Sequence, residues 1–380
     1  MQIEKSALLS AIKKVMPGIV KGKNTLAGAD TIIFGDGALH TFNGTICASV
    51  KIDTEGISGA IIGEKFFKLV QSFKSNDITL ETSEKGLVIK CGRNKSTLSW
   101  ITEIATPEYV TELHNINPSI ELPADFQEAL QLCEISDNAK ESYAGTIFDD
   151  NHVYSTDAMR SNIYTFETPL LDDDGEIANF WISLQNTSQL LKLDEKFTHY
   201  TKCHTNSDGE VEKDVWVHFK TTEGTIFSCT LLAIEPSKQV VPFLQNFASL
   251  EKKEDSVAGT LPIGFPDAIK RVGIMSAKSS GKDGNASLYF VKLSFTEKHL
   301  MISSQSKDST SEEALDWPTD GIKIKEGFSC LYPTDFLHDI YTKSKDFWVT
   351  EIQGGEGPVT VLLFEAEHYR HLICNLSDPE

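Results

Sequence analysis

Three short clusters in this 380-residue chain carry side chains that could do chemistry. Asp172-Asp173-Asp174, ahead of Gly175, sets three carboxylates side by side, the oxygen donors that hold Mg²⁺ for phosphodiester hydrolysis. A run of aspartates before glycine is more simply a solvated turn. His199, Cys203 and His204 offer the nitrogen and sulfur ligands of a zinc site. An isolated trio beside a strand is more often structural. Gly354-Gly355-Glu356-Gly357 has the glycines of a phosphate cradle but reads better as a hairpin turn. Neither a Gly-x-x-x-x-Gly-Lys-Ser/Thr loop nor a His-Glu-x-x-His helix occurs. No serine or cysteine nucleophile can be paired with a histidine from spacing alone. The expectation is a protein that is not an enzyme and needs no metal or cofactor.

The composition, 40% hydrophobic and 24% charged, is that of a soluble globular chain, and its length allows two or three domains. No apolar run approaches the roughly 20 residues of a membrane span, and Met1 to Ser6 lack the apolar stretch of a signal peptide, so a cytoplasmic location is expected. Seven cysteines, at 47, 91, 133, 203, 229, 330 and 374, show no C-x-x-C spacing and read as reduced thiols. The net charge of −20 by itself argues against a nucleic-acid binder, because phosphate contacts need lysine and arginine. The distribution of that charge decides the matter.

The elements that would position any site follow a pattern written three times. Each copy opens on an amphipathic helix: Leu8, Leu9, Ile12, Val15, Met16 and Ile19 in the first; Leu122-Pro123-Ala124-Asp125-Phe126 with Leu130 and Cys133 in the second; Leu261-Pro262-Ile263-Gly264-Phe265 with Ala268, Ile269 and Val272 in the third. Leu-Pro-x-x-Phe recurs 139 residues apart, and its proline suits a helix's first turn. Short strands follow: Thr31 to Phe34 and Ala38 to Phe42, then Thr146 to Phe148 and His152 to Ser155, then Leu288 to Phe295 and Leu300 to Ile302. A second helix is expected around Phe66, Phe67 and Val70, around Leu190 and Leu191, and around Phe336, Leu337 and Ile340, with more strands closing each unit. The expected organisation is α+β, in three domains at 1–120, 121–255 and 256–380. Three unrelated α+β domains are the plainer alternative.

Several stretches carry a resemblance to a known family. Gly63-Glu64-Lys65-Phe66-Phe67 with Asn94 to Ser99 looks like the end of the first domain of the bacterial-type (beta) DNA sliding clamp, the DNA polymerase III beta subunit. Ala144 to Phe148 followed by Ser155-Thr156-Asp157-Ala158-Met159-Arg160 resembles its second-domain signature, and Tyr369 to Leu376 its closing strand. The similarity runs over essentially the whole chain, in order and spacing. It implies two helices backed by antiparallel sheets in each domain, and two chains closing as a homodimer into a six-domain ring with helices lining the hole. It implies a processivity factor that encircles double-stranded DNA without reading sequence and tethers a replicative polymerase, with a clamp loader as a further partner and no membrane.

Such a ring should have hole-lining helices less acidic than its body. Windows over the helices and their flanks carry +4 (4–23), +2 (64–74), −3 (123–140), 0 (183–196), +3 (262–282) and 0 (332–345), for +6 against −26 in the remainder. Lys21 and Lys23 stand where the family places a DNA-contacting arginine, and Lys13, Lys14, Lys68, Lys74, Lys140, Lys278 and Lys282 are further candidates. Each could instead be a solvated surface charge. The resemblance also implies a partner-peptide cleft from Thr156, Ala158, Met159 and Arg160, from Pro236, Val240 and Val241, and from Leu372, Ile373, Cys374, Asn375 and Leu376. These could instead be core residues at a domain junction. The chain departs from the family at Met159, where histidine is usual, at Ser161, where an apolar residue is usual, and at Asn375, where arginine is common. Ser377 to Glu380 extend past the usual end, and the match around Pro236 needs a one-residue shift. Together these suit a phage or otherwise divergent replication system. A subunit interface would set Thr106, Pro107 and Tyr109 against Ile274 and Met275, although the Ile-Met pair could be core. The competing functions are a Mg²⁺-dependent nuclease built on Asp172 to Asp174 and a phage structural protein of β-rich modules.

Overall fold

The computed structural model describes residues 1–20, 26–102, 104, 116–135, 145–149, 151–157, 159–172, 175–176, 178–203, 216–232, 240–254, 256–276, 278–279, 288–318, 322, 327–354 and 357–375. Among them one order of elements recurs. The first run is β1 (Gln2–Glu4), α1 (Lys5–Val15), β2 (Thr31–Gly35), β3 (Ala38–Phe42), β4 (Ile46–Lys51), β5 (Gly59–Ile62), α2 (Gly63–Ser72), β6 (Asp77–Ser83), β7 (Gly86–Cys91) and β8 (Asn94–Ser99). The second is β9 (Ile120–Glu121), α3 (Phe126–Cys133), β10 (Gly145–Asp149), β11 (His152–Thr156), β12 (Arg160–Thr165), β13 (Asn179–Ile182), α4 (Leu184–Leu190), β14 (Phe197–Cys203), β15 (Trp216–Thr221) and β16 (Ile226–Thr230). A helix without counterpart among the described residues, α5 (Val240–Ala248), precedes the third. That run is β17 (Ala258–Thr260), α6 (Phe265–Gly273), a short β18 (Lys278–Ser279), β19 (Leu288–Phe295), β20 (His299–Gln305), β21 (Thr310–Asp316), β22 (Phe328–Pro333), α7 (Thr334–Lys343), β23 (Asp346–Gly354), β24 (Gly357–Glu365) and β25 (Tyr369–Cys374).

The helices bury one stripe each, as their spacing requires. In α1 these are Leu8, Ala11, Ile12 and Val15, and in α6 Phe265, Ala268, Ile269 and Val272. Lys13 and Lys14 sit in the last turn of α1, and Lys270 and Arg271 in that of α6, where cations suit the negative end of the helix dipole. The first helix was expected to reach Ile19 but ends at Val15, with Met16–Gly18 a 3-10 turn. Pro17 has no N–H to continue the α ladder. The two Leu-Pro prolines also lie outside the helices. The Phe126 N–H donates to the Pro123 carbonyl at 3.1 Å, and the Phe265 N–H to that of Pro262 at 3.0 Å. Each proline therefore closes a turn just ahead of its helix, one turn earlier than the sequence suggests.

The chain divides into two compact units, Met1–Gln127 with Glu167–Ala233, and Glu128–Phe166 with Ile234–Glu380. In the first unit β1, β6, β7 and β8 form one antiparallel sheet, and a longer sheet runs β5-β2-β3-β4-β16-β15-β14-β9. Its middle is the β4–β16 pairing, from Ile226 opposite Ser49 to Cys229 opposite Ile46. An aromatic cluster of Phe126, Phe197, Phe219 and Tyr200 fills the space behind β14 and β15. In the second unit a sheet runs β10-β11-β12-β25-β24-β23-β17, its middle being β12 against β25, from Arg160 opposite Ile373 to Tyr164 opposite Tyr369. A further sheet there joins β18, β19, β20 and β21, with β22 on β19. Phe295 stacks on Phe328 and Trp317 and meets Phe347 in its core.

The recurrence extends to register. The pairs Ile33–His40 and Ala38–Lys51 of the first run have counterparts 114 residues on, Ile147–Tyr154 and His152–Thr165. Among the described residues no helix is long and apolar enough to cross a membrane, and Cys47, Cys91, Cys133, Cys229, Cys330 and Cys374 are free thiols.

Candidate functional site

The turn between β11 and β12 is the first place to look, because the signature Thr156 to Arg160 falls on it. The Asp157 carboxylate oxygen Oδ1 accepts from the backbone N–H groups of Met159 (3.1 Å) and Arg160 (3.0 Å), which fixes the tight reversal. The Thr156 hydroxyl donates to the Arg160 carbonyl and accepts from Ser161. Next to this turn runs β25, and the Cys374 N–H donates to the Met159 carbonyl at 3.0 Å. The structure thus brings Thr156, Met159 and Arg160 together with Leu372, Ile373 and Cys374. Asn375 follows, its side-chain oxygen accepting from the Leu331 N–H at 2.8 Å.

These residues differ in burial. Arg160 is 2% exposed. Its Nε donates to Asp157 Oδ2 at 2.8 Å, one terminal nitrogen reaches Asp339 Oδ2 at 3.2 Å, and its guanidinium lies 4.0 Å above the Phe336 ring. Two carboxylates and a stacking face hold it, as a buried guanidinium requires. Arg160 therefore staples the β12 strand to α7. Leu372 and Ile373 are wholly buried and Thr156 nearly so; they form the floor below the turn. Met159, Cys374 and Asn375 are half-buried and remain reachable. Burial, followed by the charge of Asp157, pushes the Cys374 thiol up to about 11, so it is not a reactive thiolate. Val240 and Val241 open α5, a helix the sequence does not suggest because Val-Val-Pro reads as extended chain. Pro242 is tolerated at its third position, where a helix's N–H groups have no partner within the helix. Ala158, Pro236 and Leu376 lie outside the described residues.

Of the lysines, Lys13 and Lys74 are exposed on α1 and just after α2. Lys68 is exposed and pairs with Glu64 at 2.7 Å, an i,i+4 contact open to water. Lys14 differs, its Nζ lying 2.8 Å from Glu195 and 2.6 Å from Glu223. Burial works against its charge, but the hydrogen bonds to those two carboxylates prevail and hold its ammonium above the ordinary lysine value. Any phosphate would have to compete with these two carboxylates for Lys14. Lys21, Lys23, Lys140 and Lys282 lie outside the described residues, as does the side chain of Lys278.

Ile274 and Met275 follow α6 and are exposed, Ile274 at 71%, which removes the core reading of the pair. Ile274 borders a groove of about 470 Å³ lined by Pro266, Ile269, Gly273, Tyr289, Thr334 and His338 among others. Thr106, Pro107 and Tyr109 lie outside the described residues.

The described residues of the chemical clusters sit in turns and a strand. Asp172 caps a turn, its carboxylate accepting from the Glu176 N–H and its carbonyl from Gly175. Gly354 pairs with Gly357 at the end of the β23–β24 hairpin. His199 lies in β14 with its ring on the Thr198 hydroxyl. Asp173, Asp174, His204 and the Cys203 side chain lie outside the described residues. Among the described residues no group of three or more His, Cys, Asp or Glu side chains could hold a metal ion.

No protein-family model matches the sequence, and no curated protein matches it. Solved structures do. The Helicobacter pylori beta clamp bound to a DNA ligase peptide is similar over 100% of both chains, with a TM-score of 0.69 at 17% identity. The DNA polymerase sliding clamp of Bacillus subtilis matches over 99% of this chain and 98% of its own, with a TM-score of 0.69 at 16% identity. A putative DNA polymerase III beta subunit from Eubacterium rectale matches over 99% of both chains, with a TM-score of 0.72 at 16% identity. From end to end, this chain has the fold of the bacterial DNA polymerase III beta clamps, carried by a widely divergent sequence.

Proposed function

We propose that the chain is a subunit of a DNA sliding clamp, a ring that encircles duplex DNA and tethers a polymerase and other replication proteins to it. The observation that carries this is a pairing rule. The last strand of the second run, β16, pairs with β4 of the first, and the last strand of the third, β25, pairs with β12 of the second. β4 and β12 hold the same place in the recurring order. The strand of that kind in the third run is β21, and the last strand of the first run is β8. Each is the end strand of its own sheet. Pairing β21 of one copy with β8 of another extends the rule to a second chain, and doing so twice closes a homodimer of six domains and covers both of these edges, each of which would otherwise template pairing with another chain. The domains in this reading are 1–120, 121–255 and 256–380, and the exposed Ile274 and Met275 support the closing contact.

A ring retains DNA by closure and needs only mobile, sequence-independent phosphate contacts. Lysines on its repeated helices within a chain of net charge −20 supply that, while an acidic outer wall turns DNA away. Partner peptides dock near Met159, Cys374 and Asn375, and a loader opens the ring. Sedimentation tests the assembly: a homodimer has a mass of about 84 kDa, twice the 42.1 kDa of one chain, and a monomer at all concentrations contradicts it.

A further inference from the structure

The β11–β12 turn has a twin in the first unit. Asn43 takes the place of Asp157, and its side-chain oxygen accepts from the N–H groups of Thr45 (3.0 Å) and Ile46 (2.8 Å), as Asp157 does from Met159 and Arg160. Ile46 therefore stands where Arg160 stands, 114 residues earlier. The facing helices also correspond. Buried Asn186, Thr187 and Leu190 of α4 match Phe336, Leu337 and Ile340 of α7, so Gln189 stands where Asp339 stands. The second unit fills this position with an ion pair over an aromatic ring. The first unit has an isoleucine and an amide there, and beside them a pocket of about 440 Å³.

The walls of that pocket are of two kinds. Met16, Pro17, Ile19, Val20 and Ile46 give an apolar floor, and Lys13, Lys192, Gln185 and Gln189 a polar rim without a carboxylate. Such a rim is unusual on a chain of net charge −20. We infer that this groove between the end of α1 and α4 is a second docking site, taking a peptide segment with an apolar anchor flanked by acidic residues. The apolar floor removes the anchor from water, the two lysines meet the acidic flanks, and the two glutamine amides can bond the peptide backbone. A phosphate backbone would use the lysines but gain nothing from the floor. The inference rests on the clamp reading only for what such a peptide would belong to.

The test uses the full-length protein with labelled methionine and isoleucine methyl groups, titrated with the N-acetylated, C-amidated peptide Asp-Ile-Leu-Glu. The methyl signals of Met16, Ile19 and Ile46 are expected to move, and those of Met159 and Ile373 to give a separate, weaker response or none. Lys13→Glu with Lys192→Glu should weaken binding at this site about tenfold. Gln189→Trp should occlude it with the thermal midpoint retained, and the peptide Lys-Ile-Leu-Lys should not bind. Unmoved signals at Met16, Ile19 and Ile46 overturn the inference, as does unchanged affinity in the double lysine variant. So does a blunt DNA duplex that moves the same signals and displaces the peptide, which would make the groove a DNA contact. A protein that slides off linearised DNA with these signals unmoved keeps the clamp reading and loses this one.

Discussion

The Ser304 hydroxyl donates to the carbonyl oxygen of Val272 at 2.6 Å, tying strand β20 to the last turn of α6. The same bond joins Thr41 to Val15 at 2.8 Å and Ser155 to Cys133 at 2.5 Å. In each run a buried hydroxyl of the second hairpin strand satisfies a carbonyl that the helix end leaves open. Ser304→Ala and Thr41→Val should each destabilise their unit by about 1–2 kcal/mol, since each strands a buried carbonyl. Ser155→Ala should cost less, because the Asn162 side-chain amide also donates to the Cys133 carbonyl, at 3.4 Å. Denaturant titration checks this order.

Arg160 offers a larger effect. Arg160→Ala leaves buried Asp157 without its cation and Asp339 with Lys343 alone, and about 3–5 kcal/mol should be lost. Arg160→Lys should recover only part, since an ammonium cannot bridge both carboxylates and stack flat on the ring. Urea midpoints of the three proteins, read by a fluorescence signal from the second unit, give the order wild type, Lys, Ala.

Two buried histidines set a pH dependence. Burial lowers His218 to about 4, and burial followed by the nearby charges of Lys343 and Arg160 holds His371 well below its ordinary 6.5. Both rings are neutral in the fold and protonate more readily when unfolded. The unfolded chain therefore binds more protons below 6.5, and stability is lost as the pH falls from 6.5 toward the folded values. For His218 the loss saturates near pH 4 at about 3 kcal/mol. His218→Gln should flatten the acid limb of a stability profile between pH 6.5 and 4, and an unchanged slope would show that other groups drive it.

The closing contact is open to a direct test. Ile274→Glu with Met275→Glu places charge on side chains that are exposed in the single chain, so the fold should be retained. Sedimentation should then report monomers of 42.1 kDa, against the dimer expected of the wild type if the ring closes as proposed.

Much of this architecture is legible in the sequence, because local periodicity marks α1, α3, α6 and α7 and the turn residues mark the hairpins. What the sequence does not show is non-local or set by a single proline. The partner of Arg160 on α7 lies 179 positions away, so its burial could not be read from Met159-Arg160 alone. The same holds for the bonds from Thr41, Ser155 and Ser304, whose meaning appears only when strand and helix meet. Pro242 hides α5, and Pro123 and Pro262 shift the apparent starts of α3 and α6. The exposure of Ile274 was open as well, since an apolar residue after an amphipathic helix reads equally as core or contact.

The most direct measurement follows the protein on DNA. It is loaded onto a nicked circle by a clamp loader, and the circle is then cut once. Protein co-migrating with the circle should be released on linearisation and kept when the new ends are blocked by bound protein, because in a closed ring closure alone holds it. Retention on linear DNA with free ends, lost instead by raising salt, would contradict a ring and point to ordinary electrostatic binding.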